Sequence, residues 1–295
     1  MLEYLLFEGC TIGNRLPFIE TASRKVFERL GIQVLEAPFS CCPDVTGIKS
    51  FDNTTWLVLG ARNLSIAETG EKDIITLCNG CVNTLRGVKY QLEHDSHKKE
   101  NVNSVLAKVG KTYKGTIETK HFVDIFREEV GLEKIKQAIS NPLLDLKVAC
   151  HPGCHYMRPK EWMQVDDPLR PTNLKELVAA SGATVVDYGL EVECCGSALV
   201  THSGYKDLGY QLIKKKLDAI KKSGANVICV HCPSCFQQFD TTQKNLSKQF
   251  DTEYNIPVLY LTELYALAMG FKAEDLGLKY HRVRVNTLLN QIKRY

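Results

Sequence analysis

Ten of the twelve cysteines in this chain follow one spacing pattern, written twice. Cys10, Cys41-Cys42 and the CxxC from Cys78 to Cys81 form the first copy. Cys154, Cys194-Cys195 and the CxxC from Cys232 to Cys235 form the second. The single cysteine and the vicinal pair are separated by 30 residues in the first copy and 39 in the second. The pair and the CxxC are separated by 35 and 36 residues. A duplicated unit explains this match, and the flanking sequence repeats with it. KVFERLGIQVLEAPFSCCP answers KELVAASGATVVDYGLEVECCG, and KDIITLCNGC answers ANVICVHCPSC. HFVDIFREEVGL resembles LYLTELYALAMGF. The duplication predicts two lobes related by a pseudo-twofold axis, residues 1–143 and 144–295, with the boundary near Asn141-Pro142.

At 295 residues and 44% hydrophobic composition, the chain has material for a sizeable core in each lobe and needs no disulfide staples. The first residues, MLEYLLFEGC, read as a strand, because the apolar run lacks a basic flank and stops at Glu8. No stretch approaches the roughly 20 apolar residues of a membrane span, and the run from Leu261 to Met269 is short and broken by Glu263. These features predict a cytoplasmic protein, where thiols stay reduced and clustered cysteines bind metal or carry redox chemistry. A net charge of +3 is too balanced for a nucleic-acid stripe or a polybasic membrane patch.

Short apolar runs rich in β-formers recur at Leu5 to Phe7, Trp56 to Leu59, Ile74-Ile75, Val148-Ala149, Val185-Val186 and Val227 to Val230. They alternate with helical patterns at Phe18 to Leu30, Leu174 to Ala180 and Tyr210 to Lys222. Continuous apolar strands between helices predict an α/β class, each lobe a small, mostly parallel sheet with flanking helices. The cysteines then lie at the carboxyl edge of the strands, where open α/β sheets bind ligands. Each CxxC is expected to open a helix, from Val82 to Leu92 and from Phe236 onward, whose free N–H groups stabilise thiolates. The polar segment from His94 to Lys114 reads as a loop or lid.

Five thiols per lobe are one too many for tetrahedral zinc and one too many for a cubane with one cysteine per iron. A four-iron cluster with five thiolates requires one thiolate to bridge two irons, or an opened cluster, and vicinal cysteines suit bridging. A structural zinc scaffold stays open as an alternative, as does a glutaredoxin-like pair at Cys232 and Cys235, although the latter orphans the other cysteines.

The pattern of C, CCG and CxxC resembles the CCG-domain family. Two copies over nearly the whole chain resemble the catalytic B subunit of heterodisulfide reductase in methanogenic archaea. The resemblance implies that Cys10, Cys41, Cys42, Cys78 and Cys81 hold one non-cubane [4Fe-4S] cluster. It implies that Cys154, Cys194, Cys195, Cys232 and Cys235 hold another. The implied reaction is reduction of the coenzyme M–coenzyme B heterodisulfide to two thiols at two facing clusters. The implied partners are the reductase's C subunit, with ordinary [4Fe-4S] clusters, and its flavin-containing A subunit. A hydrogenase or formate dehydrogenase would stand behind them. Related CCG proteins act instead as iron–sulfur subunits of lactate or glycolate oxidation, which is the second functional expectation. The first copy departs from the motif, with Pro43 where the second has Gly196.

No P-loop, no strand-linked G-x-G-x-x-G and no ferredoxin cysteine run is present, so no flavin, nicotinamide or ATP site is expected. Cys150 and Cys229 align with Leu6 and Ile75 and are expected to be core thiols. His151, His155 and His231 flank cluster cysteines. His155 is the candidate proton donor, and a hydrogen bond to cluster sulfur is the competing role. His94 and His97, and the lysines Lys214-Lys215-Lys216 and Lys221-Lys222, are expected on solvated faces. Both coenzymes are anionic, so Arg15, Arg62, Arg86, Arg158 and Lys160 are candidate substrate contacts by their closeness in sequence to the cysteines.

Overall fold

A computed structural model describes residues 2–44, 46–201 and 203–292. Among the described residues the strands form two four-stranded sheets, in the order β2-β1-β3-β4 and β6-β5-β7-β8. The first sheet contains β1 (Leu2–Phe7), β2 (Ile32–Leu35), β3 (Ile74–Thr76) and β4 (Thr119–His121). The second contains β5 (Lys147–His151), β6 (Thr184–Val186), β7 (Val227–Val230) and β8 (Val258–Tyr260). Every pairing is parallel, and the registers coincide: Leu5 faces Ile74 as Ala149 faces Ile228. The central strands β3 and β7 are buried along their whole length, as strands covered by helices on both faces must be.

The helices that matter here are α1 (Cys10–Arg15), α2 (Pro17–Leu30), α3 (Asn53–Thr69), α4 (Asn79–Glu93), α5 (Ser96–Ala107), α6 (Asn173–Ala180), α7 (Lys206–Ser223), α8 (Pro233–Phe250) and α9 (Leu261–Ala268). Helices α2 and α7 stop at Gly31 and Gly224, whose left-handed φ of 76° and 77° lets the chain turn back toward the sheet.

Two expectations change. Trp56 to Leu59 is not a strand; it lies inside α3, which Asp52 caps by accepting the Thr55 N–H at 3.0 Å. Four apolar residues carry too little periodicity to separate a strand from a buried helix. The segment from His94 to Lys114 is largely helix: Asp95 caps α5, which buries Val102 and Leu106.

The lobes share one apolar core. Helix α9 is buried on every side, and packs on α2 of the other lobe, where the hydroxyls of Ser23 and Thr262 are 2.9 Å apart. The equivalent contact across the pseudo-twofold is made by a π-helical turn, Ile125–Val130, against α6 through the Arg127–Glu176 ion pair. The apolar run at Leu261 is therefore an interface helix, apolar all round because it is enclosed all round. Among the described residues no helix is long and apolar enough to cross a membrane.

Candidate metal centre at the lobe interface

The parallel sheets deliver the cysteines to one place. Cys10 opens α1 just beyond β1, and Cys154 follows β5 in the same way. Cys78 and Cys232 are the N-cap residues of α4 and α8, with Cys81 and Cys235 in their first turns. The vicinal pairs follow β2 and β6.

The ten sulfurs make one continuous run. In the first lobe the Cys10 thiol lies beside that of Cys41, and the Cys42 thiol beside those of Cys41 and Cys81. Cys81 in turn contacts Cys78. In the second lobe Cys154 contacts Cys194, Cys194 contacts Cys195, and Cys235 contacts Cys232. The Cys195 and Cys235 sulfurs are 3.6 Å apart. The two sets join where Cys78 meets Cys232. Thiolates about 2.3 Å from one tetrahedral metal lie about 3.8 Å from each other, so the Cys195–Cys235 spacing suits two ligands of one ion. The donor set is soft, sulfur-only and numerous, which fits an iron–sulfur cluster.

The environment favours thiolates at particular positions. Hydrogen bonds from Cys41 and Cys81 bring Cys42 down to about 5. Cys194 is brought down to about 2 by Cys154 and Cys195, with help from the Gly196 N–H. Cys232 is held well below the usual thiol range by Cys235 and Cys78, and by the N–H groups of Cys235 and Ser234 at the start of α8.

Glycines without an assigned role in the cysteine pattern shape the site. Gly9 and Gly153, each just before the single cysteine, have φ of 82° and 74°. A Cβ on Gly9 would stand 3.0 Å from the Cys81 sulfur. One on Gly153 would stand 3.3 Å from the Cys235 sulfur and 2.7 Å from the Asn79 amide nitrogen. The readable signal was the Gly-Cys dipeptide at matching repeat positions. In the CCG motif, Gly196 lies against the backbone of Gly209, where a Cβ would be 2.6 Å from a carbonyl oxygen. Pro43 occupies that position in the first lobe, and its carbonyl accepts the Thr84 hydroxyl at 3.0 Å.

Behind each vicinal pair a buried polar side chain braces the loop. In the first lobe Asn63 accepts the Ser40 N–H at 2.9 Å and donates to the Cys41 carbonyl at 3.1 Å. In the second lobe Lys216 donates to the carbonyls of Leu190 and Glu193, the latter at 2.9 Å. Lys216 corrects an expectation: Lys214 and Lys215 face outward, whereas Lys216 is fully buried. It lies on the helical face of Ile213, Leu217 and Ile220, a periodicity already present in the sequence. Burial lowers its ammonium to about 8, so it keeps its charge at neutral pH.

His151 and His231 are buried, and neither ring has a hydrogen-bond partner among the described residues. Burial pushes both below the ordinary histidine range, His231 to about 4. A ring nitrogen of His151 and the sulfurs of Cys195 and Cys235 all lie within 4.8 Å of one another. His94 and His97 are exposed. Cys150 and Cys229 are buried side by side in the register of β5 and β7, away from the sulfur run.

A cavity of about 80 Å³ opens on the second thiol set. Its walls come from both lobes, with Asn79 and Gly80 opposite Cys154, His155, Cys194 and Ser234. Among the described residues that line it, none of the five basic candidates appears. Arg86 is held by Asp124 (3.0 Å) and by the carbonyls of Thr119 and Met163. Arg158 donates to the carbonyls of Val192 and Pro168. Arg62 reaches the Ser40 hydroxyl at 3.1 Å. Exposed Arg15 and Lys160 border separate surface hollows.

Asn79 and Asn83 tie the lobes together across the site. Asn79 donates to the Pro152 carbonyl at 2.8 Å, and Asn83 to the carbonyls of His155 and Arg158. The Tyr260 hydroxyl reaches the carbonyls of Leu77 and His231, the residues immediately before Cys78 and Cys232.

The cysteine-rich domain model named CCG matches residues 4–86 and 148–240. The B subunit of a ferredoxin:CoB-CoM heterodisulfide reductase from Methanosarcina mazei is 40% identical over 285 residues, covering 96% of this chain and 95% of that protein. The 8-methylmenaquinol:fumarate reductase membrane anchor subunit of Wolinella succinogenes is 30% identical over 97% of this chain and 99% of its own length. A solved structure of a hypothetical protein from Helicobacter pylori shares the fold, with a TM-score of 0.77 and 17% identity. That match covers 97% of this chain and 52% of the solved one.

Proposed function

The chain belongs to the CCG cysteine-rich domain family, and from that premise we propose that it is the catalytic iron–sulfur subunit of a CoB–CoM heterodisulfide reductase. The observation that carries the reading is the unbroken run of ten sulfurs, two sets of five that meet at Cys78 and Cys232. Residues 1–143 would hold one non-cubane [4Fe-4S] cluster through Cys10, Cys41, Cys42, Cys78 and Cys81. Residues 144–295 would hold the second through Cys154, Cys194, Cys195, Cys232 and Cys235. When bound, such clusters supply single electrons to the two halves of a disulfide.

The chain's own residues have separate tasks. The helix start at α8 favours a thiolate at Cys232. Gly9 and Gly153 leave room at the sulfurs of Cys81 and Cys235. The small cavity admits the sulfur end of a substrate and leaves its anionic tails outside. Confining the substrate disulfide beside the second thiol set lowers the entropic cost of reaction. His155, on the cavity wall, can hold the proton that a product thiolate takes up. Electrons would arrive from the flavin-containing partner through the partner with ordinary [4Fe-4S] clusters.

Metal and acid-labile sulfide analysis of anaerobically purified protein tests this reading. The expected content is about eight irons and eight sulfides, with an EPR signal that appears only when the heterodisulfide is added. Zinc without sulfide would overturn it. A second reading, a subunit that relays electrons to a partner enzyme, is favoured by the full-length fumarate reductase relative. It predicts the same iron and sulfide content with no substrate-dependent signal.

A further inference from the structure

The two thiol sets sit in unequal polar surroundings, and the differences fall at equivalent repeat positions. His151 faces Val230 in the register of the second sheet as Phe7 faces Thr76 in the first. Phe7 is buried and apolar, and His151 is equally buried. A neutral imidazole carries one N–H and one lone pair, and burying both unpaired costs free energy. Both His151 nitrogens lack a partner among the described residues, and one lies within 4.8 Å of the Cys195 and Cys235 sulfurs. The ring is held in that position by edge-to-face packing on Phe239, 5.1 Å between centroids. Sulfur bound at the second set is thus the partner within reach.

The brace behind the vicinal cysteines differs in charge. Neutral Asn63 serves the first set, and the ammonium of Lys216 serves the second. Lys216 is fully enclosed, so its field is poorly screened by water. The cation on the corresponding side of the first set, Arg62, is only half buried. A hydrogen bond to cluster sulfur and a nearby unscreened positive charge act in the same direction, because both stabilise the more negative, reduced state.

We infer that His151 and Lys216 hold the second set at the higher potential, so that an electron entering the chain at the first set settles at the second, beside the cavity. This rests on the reading that both sets carry clusters. The step moves one electron from reduced first set to oxidised second set and makes or breaks no covalent bond. The electron comes from an iron–sulfur donor protein in the complex, and from dithionite in the test below. His151 and Lys216 are positioning and tuning residues in this account.

The experiment is an EPR-monitored redox titration of anaerobically prepared, iron-replete protein with dithionite and mediators. Wild type should show two potentials. His151→Phe, which copies the first lobe, should lower only the higher one, by about tenfold in the electron equilibrium between the sets, about 59 mV for one electron. Lys216→Met should act in the same direction, and Lys216→Arg should restore the wild-type value. The reciprocal Phe7→His should raise the lower potential. This variant decides the matter if His151→Phe loses its metal. Full iron with both potentials unmoved in His151→Phe and Lys216→Met overturns the inference and leaves the functional reading standing. Wild type without iron overturns both.

Discussion

The first lobe and the second share strand order, register, the Gly-Cys turn and all five cysteines, yet almost every polar group around those cysteines has changed. Phe7 is answered by His151, Leu77 by His231, Asn63 by Lys216 and Pro43 by Gly196. A sulfur skeleton that must reach metal from three loops tolerates little movement, because coordination geometry is demanding. The surrounding groups act through charge and hydrogen bonding, so they were free to diverge. Under the proposed function, the duplicated scaffold would separate the task of holding a cluster from the task of tuning it.

The same divergence appears at the interface helices. In each lobe the last residue of the fourth strand donates its N–H to a carboxylate three residues on, His121 to Asp124 and Tyr260 to Glu263. Asp124 is neutralised by Arg86, with the Tyr156 hydroxyl as a second donor. Glu263 is paired with His281 at 2.9 Å, and the His281 ring is fully buried between Phe18 and Phe236. One carboxylate is paired with a guanidinium and the other with an imidazole.

The largest effect that separates the lobes should come from Cys235→Ser. Iron analysis of the anaerobic protein should show loss of one cluster, about four irons of eight, with the first set retained. Loss of all iron would mean that the sulfur run behaves as one site across Cys78 and Cys232.

Next come the buried ion pairs. His281→Leu and Arg86→Leu each strand a carboxylate, and each should cost about 3–5 kcal/mol in denaturant unfolding. A cost below about 1 kcal/mol for either would show that its carboxylate is protonated in the folded protein.

Smaller losses are expected at the turns. Gly9→Ala and Gly153→Ala place a Cβ at positive φ, costing about 1–2 kcal/mol each. Gly153→Ala should be the worse because its Cβ also meets Asn79. Thermal unfolding with the metal content recorded would check the order, and equal losses would remove the Asn79 contact as a cause.

The smallest effect is one of pH. Burial lowers the His281 pKa, but the Glu263 carboxylate more than reverses this, so the folded-state value is raised. The stability from this pair is therefore fully present below about pH 6.5, the unfolded histidine value. It is lost as pH rises through the raised folded value. The difference in Tm between wild type and His281→Gln should shrink across that range, whereas Arg86→Gln should show no such trend. A constant difference for His281→Gln would mean that the imidazole is neutral throughout.

Much of this protein was legible without coordinates. Covalent order carried the duplication, and the cysteine spacings carried the two sets of five. The apolar runs at Leu5, Val148 and Val227 carried the central strands, and the helix after each CxxC followed from local pattern. Those features depend on residues close in sequence. The errors came where local pattern is ambiguous, as at Trp56 to Leu59, or where a helical face outweighs a charge, as at Lys216. Only the tertiary structure decided that Cys78 meets Cys232, that Arg86 is spent on Asp124, and that His281 pairs with Glu263. Each of those contacts joins residues brought together by packing helices onto sheets and one lobe onto the other. Spacing along a chain does not encode them, because their energy depends on burial that exists only once the core has closed.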